Sequence, residues 1–504
     1  MLLLGTRQLG AVLSGRGEEA AKSAGAVAQA AEERLGSGLR AVWRAGGRLQ
    51  SAGVDLVFDA LAPRPPGAGA LAPAAFGLTR GAAGALGELL PGAAALPWQE
   101  LEDKLEAFAL FKYARERLGI PATSAGDAMP LAEQLRRREG LDSYQAVWVT
   151  EGLGYAHAAG ALRAAQDPRH LLSGDPAIGL PARALVALHA GMGLAFAERS
   201  LAPLAAPCGL PALASLWPLR PLSALWPLQT PRTAPGSAAA PPGEAGESST
   251  LAAALAPTLD RFSSLCRDNA MSGYEDVARE ALGLVARNLH PGHVAPIAER
   301  LAARAGSDAR LAELFWHGVG RGAYFALDHS LPWALPWLPE GGTMGRALAG
   351  LGQSAPGPVA RNNALAGFAW ALALVNIRRP EVVESLLRHV DGGGWSSGTG
   401  YGEPRTASED SPAGACASGI AAAILVWHGT AGDDAWLARF LAHAPDPADR
   451  QAAARWRRLV REPCESALTI VRRGRGERGR SIDWGSLFRY RPLPALLAGL
   501  EGAR

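Results

Sequence analysis

Apolar and polar residues follow each other along this chain with helical spacing, and in six of the apolar runs small residues recur at every second position. The six read Gly152-x-Gly154-x-Ala156, Gly191-x-Gly193-x-Ala195, Ala281-x-Gly283-x-Val285, Gly318-x-Gly320-x-Gly322, Gly367-x-Ala369-x-Ala371 and Gly419-x-Ala421-x-Ala423. A helix with small residues at i, i+2 and i+4 carries no bulky side chain over much of its circumference, so neighbouring backbones can approach it closely. Such helices are expected to be central and buried. Each interior glycine costs about 1 kcal/mol relative to alanine, which close packing must offset. Shorter amphipathic helices follow, over Val294 to Ala303, Glu381 to Val390 and Asp433 to His443.

Where copies follow one another without an insert, their first residues lie 39, 37, 49 and 52 positions apart. That spacing is near the period of helical-hairpin repeats. The pattern predicts an all-α protein of paired helices, arranged as an open α-solenoid or a closed α/α ring. Four segments follow from it. Residues 1–99 hold an amphipathic helix over 18–62 and an Ala/Gly-rich stretch, 100–202 a first repeat block, 203–250 a Pro-rich linker, and 251–504 a second block. In the linker, Leu216-Trp217-Pro218-Leu219 and Leu225-Trp226-Pro227-Leu228 nearly duplicate each other, and the repeated prolines forbid a continuing helix.

Composition narrows the function classes. The 504-residue chain exceeds the size at which single cores stop growing, and its formal net charge of +3 argues against nucleic acid as a partner. The basic run Arg472 to Arg480 reads as a solvated loop. Cys208, Cys266, Cys416 and Cys464 are far apart and form no Cys-x-x-Cys, the usage of buried thiols in a reducing, cytoplasmic setting. The apolar run before Arg7 is too short for a secretory signal. Residues 68–97 are long enough to span a bilayer but are dominated by Ala, Gly and Pro, so the membrane contact expected of residues 1–97 is peripheral, if they touch a membrane at all.

The strongest polar constellation lies on the fourth copy. His317, Arg321, Tyr324 and Asp328 are spaced i, i+4, i+7 and i+11 and share one helix face. A polar stripe on an otherwise apolar helix must meet water, a cavity or a polar partner. As a site it offers His317 as acid or base and Arg321 as an anion clamp beside Tyr324; the structural alternative has Asp328 neutralising Arg321. On the first copy Trp148, Glu151 and Tyr155 are spaced i, i+3 and i+7. Aligning copies on the first small residue puts Glu151, Ala190, His317, Ala366 and Ser418 at one position. If the repeats curl around a common centre, Glu151 and His317 face each other across it. Trp148, Tyr155 and Trp316 are the aromatics expected at a bound ligand, joined by Trp395 and Tyr401 from the long Gly-rich loop 391–410. His189 reads as a hydrogen-bonded core histidine, and Asn362 and Asn363 as a helix cap. No metal or cofactor signature is present: there is no His-Glu-x-x-His, Walker loop, nucleotide-binding glycine fingerprint or Gly-x-Ser-x-Gly elbow.

The elements Thr150-Glu151-Gly152-Leu153-Gly154, His189-Ala190-Gly191-Met192-Gly193-Leu194-Ala195 and His317-Gly318-Val319-Gly320-Arg321-Gly322-Ala323 resemble an uncharacterised bacterial family encoded beside enediyne and related polyketide clusters. That family carries similar Glu-Gly-x-x-Met-Gly and Gly-x-Gly-Arg-x-x-x-Phe signatures. The likeness covers roughly 147–200 and 311–375. It implies a helical repeat and a bacterial source, and assigns no residue roles. The Asp391-Gly-Gly-Gly-Trp395 element is also similar to the glycine-tryptophan repeats of triterpene cyclases, but it lacks their opening glutamine and occurs once.

The first functional reading is a non-catalytic accessory or scaffold protein that binds a protein partner or an apolar metabolite along its concave face. The alternative is an enzyme whose central cavity takes a hydrophobic polyketide or isoprenoid-like substrate, with Glu151, His317, Arg321 and Tyr324 as reactive groups. The two differ in one observable: an enclosed pocket with these side chains converging, against an open groove with them dispersed.

Overall fold

Successive helical residues are turned by roughly 100°, so positions i and i+2 lie on nearly opposite sides of the axis. Small residues at both let one helix touch a neighbour on each side, backbone to backbone. The computed structural model realises this arrangement. It describes residues 80, 83–84, 95–120, 129–165, 167–174, 179–204, 244–304, 309–326, 342–391, 411–476 and 482–502. All lie in the unit Phe76–Arg504; the other unit, Met1–Ala75, is outside the described residues, as are Asp328, Trp395, Tyr401, the helix expected over 18–62 and the Trp-Pro segments.

Among the described residues every element is helical. A covering helix, α1 (Leu96–Lys112), precedes six inner ones: α2 (Ser143–Ala164), α3 (Ala182–Leu201), α4 (Glu275–Leu289), α5 (Ala309–Phe325), α6 (Pro358–Val375) and α7 (Pro412–Ala431). Each expected copy of the small-residue pattern falls on one inner helix. Outer helices Glu244–Asn269, Val294–Ala303, Gly342–Ser354 and Pro380–Asp391 alternate with the inner ones from α3 onward. Glu244–Asn269 starts inside the segment expected as linker, directly after Pro242-Gly243, and carries Pro257 in its interior.

One register repeats through the inner helices. A methyl group added to the first glycine of a copy would overlap the backbone carbonyl one residue before the preceding copy: Gly191 meets Glu151, Gly318 meets Glu280, Gly367 meets His317 and Gly419 meets Ala366. The second small residue of a copy meets the carbonyl three residues before the next. Thus Gly154 meets Leu188, Gly193 meets Ala278, Gly283 meets Phe315 and Gly320 meets Ala364. The contact of Gly193 with α4 carries the packing across from the first repeat block to the second. α7 touches α2 and α3 in addition to α6. α7 is also the one described helix long and apolar enough to cross a membrane, and it is almost wholly buried within the protein.

Two elements close over this array. α1 lies on α2, with Phe111 at Gly152, and is tied down from the turn after α6. Arg378 bonds Asp103 at 2.8 Å and Glu106 at 2.6 Å, and Arg379 bonds Asp103 at 2.9 Å and Glu102 at 2.6 Å. The turn Trp484–Phe488 inserts elsewhere, with Leu487 and Phe488 fully buried. It is held by the Tyr490 N–H donating to Asn363 Oδ1 at 2.7 Å and the Ser418 hydroxyl donating to Arg491 O at 2.6 Å. Asn363 is therefore not the helix cap expected of it. Pro358 opens α6 five residues earlier, leaving Asn363 inside the helix, where its Nδ2 donates to Val359 O at 2.9 Å and its Oδ1 anchors the C-terminal segment.

Candidate functional site

Because one register runs through the repeats, the residue before the first small position occurs at a common level in every copy. In α2, α4 and α5 that residue is Glu151, Glu280 and His317. All three side chains are buried, and so is Arg321, one turn after His317. His317 Nδ1 lies 2.9 Å from Glu280 Oε1, Arg321 Nη1 donates to Glu280 Oε2 at 2.8 Å, and Arg321 Nη2 donates to Glu151 Oε1 at 3.3 Å. The guanidinium also lies over the Trp370 ring, 4.6 Å from its centroid. Phe488 stands 6.3 Å from the His317 ring and 5.2 Å from Trp370, so the C-terminal turn shields this side of the cluster.

Desolvation dominates the protonation of the cluster. Burial pushes the Glu151 carboxyl above its ordinary range, with Arg321 pulling the other way. Burial likewise lowers His317 against the opposing pull of Glu280. Burial acts to lower Arg321 too, but Glu280 and Glu151 more than offset it and hold the guanidinium charged. With His317 neutral the four groups carry one net negative charge, so a single added proton makes the cluster neutral.

On the side away from Phe488, Glu151 and Arg321 reach a small chamber. Its remaining wall is Ala107, Phe108 and Phe111 of α1, Trp148 of α2, Leu194 of α3, Leu284 of α4 and Phe325 of α5. The chamber measures about 20 Å³, room for one water molecule. Arg321 Nε, on a residue of this wall, is buried without a hydrogen-bond partner. The arrangement can hold a proton or accept one small polar group in apolar surroundings.

The expected site residues are divided by the structure. Glu151, His317, Arg321 and Trp148 come together, although His317 meets Glu280 and reaches Glu151 only through Arg321. The partners of Arg321 are Glu280 and Glu151. Tyr324 leaves the cluster: its hydroxyl accepts from Asn376 Nδ2 at 2.7 Å, and Lys104 lies 3.9 Å over its ring. Tyr155 donates to Glu198 at 2.5 Å and faces Phe111, and Trp316 packs on Phe315. His189 is the core histidine expected of it: Nδ1 lies 2.6 Å from Leu185 O, and Nε2 accepts the Met271 N–H at 3.0 Å.

Glu280 escaped the sequence reading, yet the signal was present. Its place before Ala281 matches that of Glu151 before Gly152 and His317 before Gly318, and the third copy opens on alanine where those two open on glycine. Among the described residues no group of three or more His, Cys, Asp or Glu side chains is placed to hold a metal ion. No family model matches the chain, and neither curated proteins nor solved structures yield a match.

Proposed function

We propose that the six inner helices close into a ring, and that the chain is a binding protein whose ligand sits at the ring's centre instead of along an open concave face. The closure is supported by α7 reaching back to α2, where Tyr144 and Trp427 rings lie 6.4 Å apart. The carrying observation is the convergence of Glu151, Glu280, His317 and Arg321 from three helices into one buried cluster, two of whose members, Glu151 and Arg321, line an aromatic-walled chamber. A groove-binding scaffold has no use for a desolvated four-residue charge cluster, whose burial costs several kcal/mol per ion before pairing. The ligand is a small molecule, apolar over most of its surface. An occupant larger than water enters by displacement of α1, which supplies one wall and is held by the Arg378 and Arg379 pairs.

A catalytic reading is supported by one specific feature: the buried His317 is held 2.9 Å from the Glu280 carboxylate, an orientation that suits an imidazole acting as acid or base. Native mass spectrometry of the chain purified from its own host tests the binding reading. A small molecule is expected to travel with the wild type and to be lost from Ala107→Leu, whose added bulk fills the chamber, at unchanged helicity. A wild-type chain that carries only a protein partner overturns it in favour of the scaffold.

A further inference from the structure

We infer that a second site, separate from the chamber and independent of it, binds a small phosphorylated molecule. A pocket of about 350 Å³ lies where the outer helix Glu244–Asn269, α4, the end of Val294–Ala303 and the start of α5 meet. That volume is in the range of small-molecule sites. Asp260, Ser263, Ser264 and Arg267 face it from Glu244–Asn269, spaced i, i+3, i+4 and i+7 along one side of that helix. Arg279 comes from α4, and Arg304 directly follows Val294–Ala303. Arg310 and Leu311 belong to the first turn of α5, so the positive pole of that helix adjoins the pocket. Among the described residues of the wall, four guanidinium groups and two hydroxyls therefore meet one carboxylate, and Leu311 is the one apolar side chain.

Carboxylates outside the wall brace these arginines. Arg279 is held by Glu275 at 2.5 Å and Asp276 at 3.4 Å, Arg310 by Asp276 and by Asp483 at 3.5 Å, and Arg267 by Asp268 at 3.1 Å and the Ser264 hydroxyl at 3.2 Å. Two contacts each leave these three groups further donors among their five N–H, already ordered before a ligand arrives. Arg304 pairs with Asp260 at 2.9 Å, the one acid of the wall. The bracing carboxylates offset the region's total charge without facing the pocket, so selection rests on directed N–H groups. A hydrocarbon finds only Leu311, and a cation meets four like charges. A carboxylate's two coplanar oxygens are satisfied by a single guanidinium fork. A phosphate turns its oxygens in several directions and can take donors from several helices at once.

Calorimetric titration of inorganic pyrophosphate into the full-length chain, with succinate as the dicarboxylate control, tests the assignment. Pyrophosphate is expected to bind at least tenfold more tightly than succinate. Arg267→Gln alters a side chain that is 60% exposed and should fold normally while weakening pyrophosphate about tenfold. Asp260→Asn removes the wall's one negative group and should tighten it severalfold, whereas mere damage to the pocket would weaken both variants. No binding of pyrophosphate, equal binding of succinate, or weaker binding by Asp260→Asn overturns the assignment. Vesicles of phosphatidic acid present the same phosphate on a surface, and co-sedimentation with them without binding of pyrophosphate overturns the soluble ligand. Each of these failures leaves the chamber reading standing, because the two sites share no residue.

Discussion

Gly367 of α6 lies against the backbone carbonyl of His317, and the same His317 places its imidazole 2.9 Å from Glu280. The close approach that spaces the helices thus also sets the height of the polar cluster. Glu151 and Glu280 have the same double part, since their carbonyls receive Gly191 and Gly318. Architecture and site are fixed by one register.

That coupling gives glycines of one helix opposite signs. Gly154 has no room for a methyl group beside Leu188 O, while Gly160, farther along α2, has only an Arg163 guanidinium nitrogen at 3.8 Å. Gly154→Ala is expected to lose stability by about 3 kcal/mol, because overpacking against rigid backbone outweighs the gain in helix propensity. Gly160→Ala is expected to gain about 1 kcal/mol. Urea unfolding of both variants checks the pair, and two changes of equal sign would contradict the register.

Among the described residues Arg321 is the only lysine or arginine bonded to Glu151 and Glu280. Arg321→Met therefore leaves two buried carboxylates without their countercharge, at a cost of about 4 kcal/mol at pH 7. The loss should shrink as pH falls, because Glu151 is already pushed up by burial and takes a proton readily. Adding Glu151→Gln and Glu280→Gln to Arg321→Met should recover most of the stability, since no net charge then remains buried. Thermal midpoints of the single and triple variants at pH 7 and pH 5 test this.

What was legible in the sequence is what depends on local spacing. The period of Gly and Ala marked each inner helix, because backbone contact needs small residues at fixed intervals. The stripe of His317 and Arg321 showed because both lie on one helix. Glu280 and Phe488 were not legible as members of the site, since each reaches His317 only through tertiary packing. Tyr324 looked like a third member by spacing alone. One further helical turn and the presence of Lys104 and Asn376 carried it into a different cluster. The cap expected at Asn363 failed for a related reason: a proline five residues earlier is the stronger local signal for starting a helix.

Asp103 is fully buried and is bonded by both Arg378 and Arg379. Even beside them, burial pushes its carboxyl up to about 6. Replacing both arginines by glutamine strips the countercharge from Asp103 and releases α1 from the turn after α6. Hydrogen exchange should accelerate over residues 96–112, by the tenfold to hundredfold that about 1.4 to 3 kcal/mol of local opening implies, with α5 and α6 little changed. Uniform acceleration over all helices would show α1 to be an inseparable part of the core and would remove it as the moving wall of the chamber.

His189 supplies a pH dependence whose sign follows from its two bonds. The Met271 N–H donates to Nε2, so Nδ1 must carry the hydrogen given to Leu185 O, and the ring is neutral. A second proton would set one N–H against another inside the core. Burial accordingly lowers the imidazole to about 4. The unfolded chain binds a proton near pH 6.5 and the folded chain only near 4, so between these values the unfolded state holds more protons and stability drops as the pH is lowered. The contribution is nearly complete at pH 7 and reduced by about 2 kcal/mol at pH 5. It levels off below pH 4, where both states are protonated. The check is the His189 ring in a proton NMR titration, expected to stay in its neutral form to below pH 5. A midpoint near 6.5 would mean that the Met271 contact is not formed in solution.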